Sequence, residues 1–247
     1  MIASIGRFDD AALEALCVDN VAPSAGDIGR ARLDLPRIAE AFADLLYTFP
    51  VVADRYVRSQ AAFRRVASMM AAEGWTFCGS GYYSATFFRG GLVIKLGFKA
   101  EDSALDYARW CRANQGMAGV PVIHRLLCRG FGYAILMDRL EAIAGELELG
   151  SPAFDPMLYA EFSSVQDTIN NGVDGWGKHM ELCRTGLAIR EYFEDTVNWD
   201  VHPCNVMLDR SGNLVITDPI SFVGDTLSDE DDSEGYSGYQ AAVACAA

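Results

Sequence analysis

Asp200, Asn205 and Asp218 stand in the stretch NWDVHPCNVMLDRSGNLVITDP, separated by five and then thirteen residues. Their side chains offer hard oxygen donors, the kind that suits Mg²⁺, which takes few protein ligands and fills its shell from substrate phosphates. The intervening residues say how such donors would meet. Asn205–Asp209 is a short apolar run, Arg210–Asn213 a turn cluster, and Leu214–Thr217 a β-branched run that ends at Asp218. Two such runs around Ser-Gly-Asn predict a β-hairpin, which sets Asn205 beside Asp218. Asp200 lies just upstream in a loop stiffened by Pro203. Phosphoryl transfer is the chemistry this triad suits, although Asp and Asn also serve as ordinary turn formers.

A second segment, WTFCGSGYYSATFFRGGLVIKLG at 75–97, reads as strand, glycine loop, strand, turn, strand. Gly79, Ser80, Gly81 and Ser84 form a G-x-G-x-x-S pattern. Glycines let backbone amides approach phosphate oxygens because no Cβ intervenes. A dinucleotide fingerprint or a Walker loop would open a helix; this loop opens a strand, as the glycine loop of protein kinases does. A bare hairpin turn would also account for the glycines. Lys95 sits in the otherwise apolar Val93–Leu96 and needs a paired charge if buried. In kinases a lysine at this place holds the α- and β-phosphates and pairs with a carboxylate on the next helix. That helix is expected to begin at Glu101-Asp102-Ser103, with Glu101 preferred as partner, Asp102 second, and Asp106 also available. Acids at a helix start also favour the helix dipole without any such role.

Glycine loop, strand lysine, acid-led helix, Asp, Asn and Asp follow one another in kinase order. The runs GYYSATF, VIKLGFKAEDS and DVHPCNVML…ITDPISF resemble the early serine/threonine protein kinase of short-tailed lytic bacteriophages, over about residues 65–222. The resemblance implies Lys95 on ATP, Asp200 as base or substrate orienter, and Asn205 and Asp218 on magnesium. It also implies host protein substrates, the cytoplasm of the infected bacterium, and self-modification on serine, with Ser221 a candidate beside the metal site and Ser228 and Ser233 its rivals. Two departures bear on the substrate class. Asn198-Trp199 precede Asp200 where His-Arg is usual, with His202 following, and Asp218-Pro219 replaces Asp-Phe-Gly. Both are shared with small-molecule phosphotransferases, which keeps that reading open. A non-catalytic kinase-fold inhibitor that binds a host protein through its acidic surface is the other alternative.

Composition bounds the choice. In 247 residues, 51% of them hydrophobic, there is material for one or two well-packed domains. No apolar run approaches the roughly 20 residues that span a bilayer, and MIASIGRFDD lacks the order of a signal peptide. Seven scattered cysteines without a C-x-x-C pair read as reduced thiols and argue against zinc. Cys204, near the Asp200 loop, is expected to be a small filler rather than a nucleophile. A net charge of −14 argues against direct nucleic-acid binding. The acids concentrate in DTLSDEDDSE at 225–234, six with no base, so 225–247 reads as a disordered acidic tail.

The fold expected is α+β, a minimal two-lobed protein kinase-like fold with an N-terminal helical extension. Residues 1–74 form that extension, with helices over 9–21, 36–47 and 51–73 capping the small lobe. Residues 75–140 form the small lobe, with further strands at 120–123 and 131–138 and a hinge at Asp138–Glu141 whose backbone is placed to meet adenine. Residues 141–224 form a truncated large lobe, with helices over 156–170 and 178–197. His124 and His179 lack partners at metal spacing and read as surface or core residues.

Overall fold

The computed structural model describes residues 21–52, 56–99, 101–143, 145–173 and 179–222. The expected helix at 9–21, the acidic tail, Ser228 and Ser233 lie outside these residues.

Helix α1 runs Ala25–Thr48. Its start is fixed by a capping box: Ser24 Oγ accepts from the Asp27 amide at 3.1 Å, and Asp27 accepts from the Ser24 amide at 3.0 Å. That cap, with the stripe Ala31, Leu35, Ile38, Phe42 and Leu46, starts the helix well before residue 36, and Pro36 is carried inside it. The segment expected as one helix over 51–73 divides into a 3₁₀ turn, Val57–Ser59, and α2, Phe63–Ala72. The Gln60 side chain bonds both the amide and the carbonyl of Val52, at 2.9 and 2.8 Å, and the Val57 amide is given to Tyr82. These bonds take up the backbone groups of Val52 and Val57 that a continuous helix would use.

Five antiparallel strands follow: β1 Thr76–Ser80, β2 Ser84–Arg89, β3 Leu92–Gly97, β4 Ile123–Arg129 and β5 Gly132–Asp138, in the order β1-β2-β3-β5-β4. The strand expected at 120–123 begins where that range ends. Alternation divides the sheet's faces. Phe87, Ile94, Leu96, Ala134 and Leu136 pack with α1 and α2 in one core. Phe87 is fully buried there, and truncating it to alanine would cost about 3–5 kcal/mol. Tyr133 and Ile135 turn the other way, into a second core with α3, Ser103–Ala113, and the C-terminal elements.

Those elements are β6 Glu141–Ala142, α4 Pro156–Asn171, α5 Met180–Phe193, β7 Val197–Trp199, β8 Val206–Leu208, β9 Leu214–Ile216 and β10 Ile220–Phe222. α5 stops short of the expected 197 because Glu194 takes φ 41° and a 3₁₀ turn, Glu194–Thr196, leads into β7. β6, β8 and β9 form one small antiparallel sheet, and β7 pairs with β10. The molecule is thus mixed α+β with antiparallel sheets. Among the described residues no helix is long and apolar enough to cross a membrane.

Candidate active site

β8 and β9 are the two arms of the hairpin read from sequence, with Val206 opposite Ile216. Asp209 shapes the turn by accepting from the amides of Ser211 and Asn213 at 2.8 and 2.9 Å, and Gly212 supplies the left-handed φ of 79° that the turn requires. Beyond the ladder the Thr217 amide donates to the Asn205 carbonyl at 2.9 Å. The Asp200 amide donates to the Pro219 carbonyl at 2.8 Å. Asn205 Nδ2 donates to the Asp200 carbonyl at 2.7 Å and lies 3.3 Å from Asp200 Oδ2. Asp200, Asn205 and Asp218 therefore meet at one end of the hairpin, as their spacing predicts.

Lys95 reaches this end from β3. It pairs with Thr86 on one side and Ile135 on the other, and its Nζ stands 3.6 Å from Asp218 Oδ2. The other carboxylate oxygen, Oδ1, is buried and has no hydrogen-bond partner. Burial pushes the Asp218 carboxyl up from its ordinary value; Lys95 pulls it down, while Asp102 and Asp200 push it up again. The ion pair with Lys95 thus engages one oxygen of Asp218, and the buried Oδ1 left without a partner is a donor that a cation suits. Among the described residues no three His, Cys, Asp or Glu side chains cluster as a complete metal cage. Asn205 and Asp218 offer side-chain oxygens, the donor type that magnesium takes when phosphates complete its shell.

The expected partner of Lys95 is corrected. Glu101 is exposed, and the carboxylate set against Lys95 is Asp218. The acid that the helix start turns inward is Asp102, 6% exposed, which caps α3 through the Ala104 amide at 3.1 Å and accepts from the Tyr133 hydroxyl at 2.6 Å. The N-cap residue points back over its own helix, whereas the residue before it leaves the helix surface. The capping pattern, Asp before an amphipathic run, is the sequence signal that separates the two. Asp106 lies on the exposed side, paired with Arg109 at 2.6 Å.

The glycine loop forms a tight turn in which the Gly81 amide donates to the Ser84 carbonyl at 2.9 Å. Neither Gly79 nor Gly81 has a positive φ. A methyl group built on each would meet its nearest neighbours at 3.4 and 3.7 Å, so the fold itself does not demand glycine there. Ser84 alternates onto the face of β2 that also carries Thr86, opposite Lys95. Ser80 is opposite Ala85, so its side chain belongs to the other face, where Arg58 Nε donates to its hydroxyl at 2.9 Å. The Ser80 hydroxyl is thus turned away from the face that carries Lys95.

The remaining expectations are placed as follows. Ser221 lies in β10, half-buried and opposite Asn198. His202 Nε2 is 3.6 Å from Asp200 Oδ1, and its Nδ1 accepts from the Cys204 amide at 3.2 Å. Partial burial pushes the Cys204 thiol up, which argues against a nucleophile, but the residue is exposed and so is not the packed filler expected. His124 pairs with Asp138 at 2.8 Å and His179 with Glu161 at 3.7 Å, each a single carboxylate contact. Two tyrosines were not singled out by sequence: Tyr133, which holds Asp102, and Tyr107, whose hydroxyl donates to the Ile216 carbonyl at 2.8 Å and ties α3 to β9.

Residues 44–236 match the family model described as bacteriophage T7 protein kinase 0.7. No curated protein matches the chain.

Proposed function

The chain belongs to the bacteriophage T7 protein kinase family, and from that premise we propose that it transfers the γ-phosphate of ATP to serine or threonine hydroxyls of host proteins. The observation that carries the reading is the meeting of Lys95, Asp218, Asn205 and Asp200 at one end of the β8–β9 hairpin. Lys95 holds the α- and β-phosphates. Gly79, Gly81 and Ser84 cover them, with room for close approach at both glycines. Asn205 and Asp218 hold magnesium, whose charge neutralises what develops on the transferred phosphoryl group. Asp200, fixed by the hydrogen bond its amide donates to the Pro219 carbonyl and by Asn205, orients the attacking hydroxyl. The five-stranded sheet with α3 acts as a small lobe, and α4, α5 and the hairpins as a reduced large lobe. The work place is the cytoplasm of the infected bacterium, and Ser221 is a site of self-modification.

The test is purified protein with γ-labelled ATP, magnesium and host lysate. Label in host proteins, lost in Asp218→Ala, is expected. A net charge of −14 favours a second reading, in which the fold occupies a basic host protein without chemistry. Absence of transfer at every magnesium concentration, with stable capture of a host protein by both wild type and Asp218→Ala, would replace the first reading with the second. Label in a small metabolite instead of protein would make the chain a small-molecule phosphotransferase.

A further inference from the structure

Lys95 and Asp218 belong to separate sheets. Lys95 is on β3 of the five-stranded sheet, and Asp218 follows β9 of the three-stranded one. The covalent link between the sheets is short: β5 ends at Asp138, β6 begins at Glu141, and β6 pairs with β8. Rotation about those connecting residues would change the distance between Lys95 and Asp218.

Arg210 crosses this junction. It stands in the β8–β9 turn, with only 21% of its side chain exposed. Its guanidinium donates to the Gly91 carbonyl in the β2–β3 turn, and its other terminal nitrogen is 3.8 Å from Asp138 Oδ2. The same Gly91 carbonyl accepts from the Arg139 amide at 3.0 Å. Leu92 is opposite Asp138 in the ladder, so the acceptor of Arg210 at Gly91 and its ion-pair partner Asp138 lie at one end of the β3–β5 pair. On the far carboxylate oxygen, Asp138 is held by His124 at 2.8 Å. The approach leaves no space at Gly91: a methyl built there would fall on the Val21 carbonyl oxygen and lie 2.6 Å from the guanidinium. A planar fork with several fixed donors suits a carbonyl in a turn and a carboxylate on a strand together better than a point charge does.

We propose that Arg210 is a positioning residue that locks the hairpin to the β3–β5 end of the sheet and so sets the distance between Lys95 and Asp218. Lys95 is three residues from Leu92, about 10 Å along the strand, so a small rotation released at Arg210 is carried to the site. Misplacement of a catalytic group by about 1 Å costs on the order of a hundredfold in rate. The kinetic arm of the test rests on the proposed phosphoryl transfer; the exchange arm does not.

The experiment compares wild type, Arg210→Ala and Arg210→Lys by amide hydrogen exchange, by thermal melting and by kcat and KM for ATP with magnesium and a labelled protein acceptor. Arg210→Ala should speed exchange in β3 and in residues 214–219, beyond the turn that carries residue 210, and should lower kcat by on the order of tenfold or more. Arg210→Lys should recover only part of both, since one ammonium cannot reach the Gly91 carbonyl and face Asp138 in the same fork geometry. Should the alanine variant fail to fold, the lysine variant carries both readouts. Faster exchange confined to residues 205–213, with kcat unchanged, would make Arg210 an anchor of its own turn and overturn the proposal. A wild type that transfers no phosphate refutes the kinase reading, while exchange in β3 still decides the lock.

Discussion

The ammonium of Lys95 stands 3.6 Å from one oxygen of Asp218 while the other oxygen is buried without a hydrogen-bond partner. The site thus holds a charge that the protein only half compensates. Asp218→Asn should abolish transfer and at the same time raise the melting temperature slightly at neutral pH, since only Oδ1 is buried and the 36% of the side chain that remains exposed lets water screen the charge. The sign follows from linkage. The Asp218 carboxyl is raised in the folded state, chiefly by burial and against the pull of Lys95, so the folded chain binds the proton more tightly than the unfolded one. Stability then falls as pH rises from the ordinary carboxylate range through the raised folded value. The gain from Asn is therefore full above that value and vanishes at acid pH, where both states of the wild type are protonated. Magnesium with ATP should raise the melting temperature of wild type but not of the variant. Melting scans across pH settle it; an unchanged or lower melting temperature at neutral pH would contradict the burial argument.

Glu101 and Asp102 are neighbours with different surroundings. Glu101→Gln should leave turnover within about twofold, since surface changes away from special features are worth only about ±0.5 kcal/mol. Asp102→Asn keeps an N-cap side chain but removes a buried charge beside Asp218 and alters the bond from Tyr133, so turnover should fall well below that of Glu101→Gln. Tyr133→Phe leaves one oxygen of Asp102 without its 2.6 Å donor, at a cost of about 1–3 kcal/mol in stability. Kinetics and melting of the three variants give the ranking, and a Glu101→Gln protein slower than Asp102→Asn would restore Glu101 as the partner.

Ser221 is paired into β10 opposite Asn198, which restrains it from swinging onto a phosphate held by its own Asp218. Self-labelling there should occur between molecules, with a rate per molecule that rises with protein concentration. Phosphate at Ser221 would add nearly two negative charges three residues from Asp218, so labelled protein should be less active. Peptide mapping after incubation with ATP and magnesium checks this. Label found elsewhere, or a Ser221→Ala protein that labels itself as fast as wild type, removes Ser221 from the mechanism.

What the sequence made legible was local. The β8–β9 hairpin follows from two apolar runs and a turn cluster, and with it the meeting of Asn205 and Asp218. The glycine-loop strands likewise follow from alternation and glycine. Helix bounds were less legible where a nearby cap outweighed a stronger-looking signal: Pro36 reads as a helix start, yet Ser24 and Asp27 cap the helix earlier. Choosing between Glu101 and Asp102 required knowing which residue is the N-cap, a difference of one position that reverses which carboxylate faces inward. The Arg210 contacts were not legible at all, because they join the β8–β9 turn to Gly91 and Asp138, far away in the chain, and leave no periodicity in it.

The glycines of the loop separate a ligand's demands from those of the fold. Gly79 and Gly81 have ordinary φ values, and methyl groups there would sit in normal contact at 3.4 and 3.7 Å. Gly97 differs, since a methyl there would fall within the Tyr133 ring. Gly79→Ala and Gly81→Ala should therefore leave the melting temperature unchanged or slightly higher, because alanine reduces the freedom of the unfolded chain by about 0.4–1 kcal/mol. Gly97→Ala should lower it, since overpacking against a buried ring costs about 1–3 kcal/mol and each kcal/mol moves a chain of this size by about 2–4 °C. If the loop covers the phosphates of ATP, the two loop variants should nonetheless bind ATP with magnesium more weakly, on the order of tenfold or about 1.4 kcal/mol. The added methyls would hold the backbone amides off the phosphate oxygens that glycine lets them reach. Titration calorimetry beside melting scans reads both quantities on one set of proteins. Wild-type affinity in both loop variants would mean that the G-x-G turn closes a hairpin and does not cover a nucleotide.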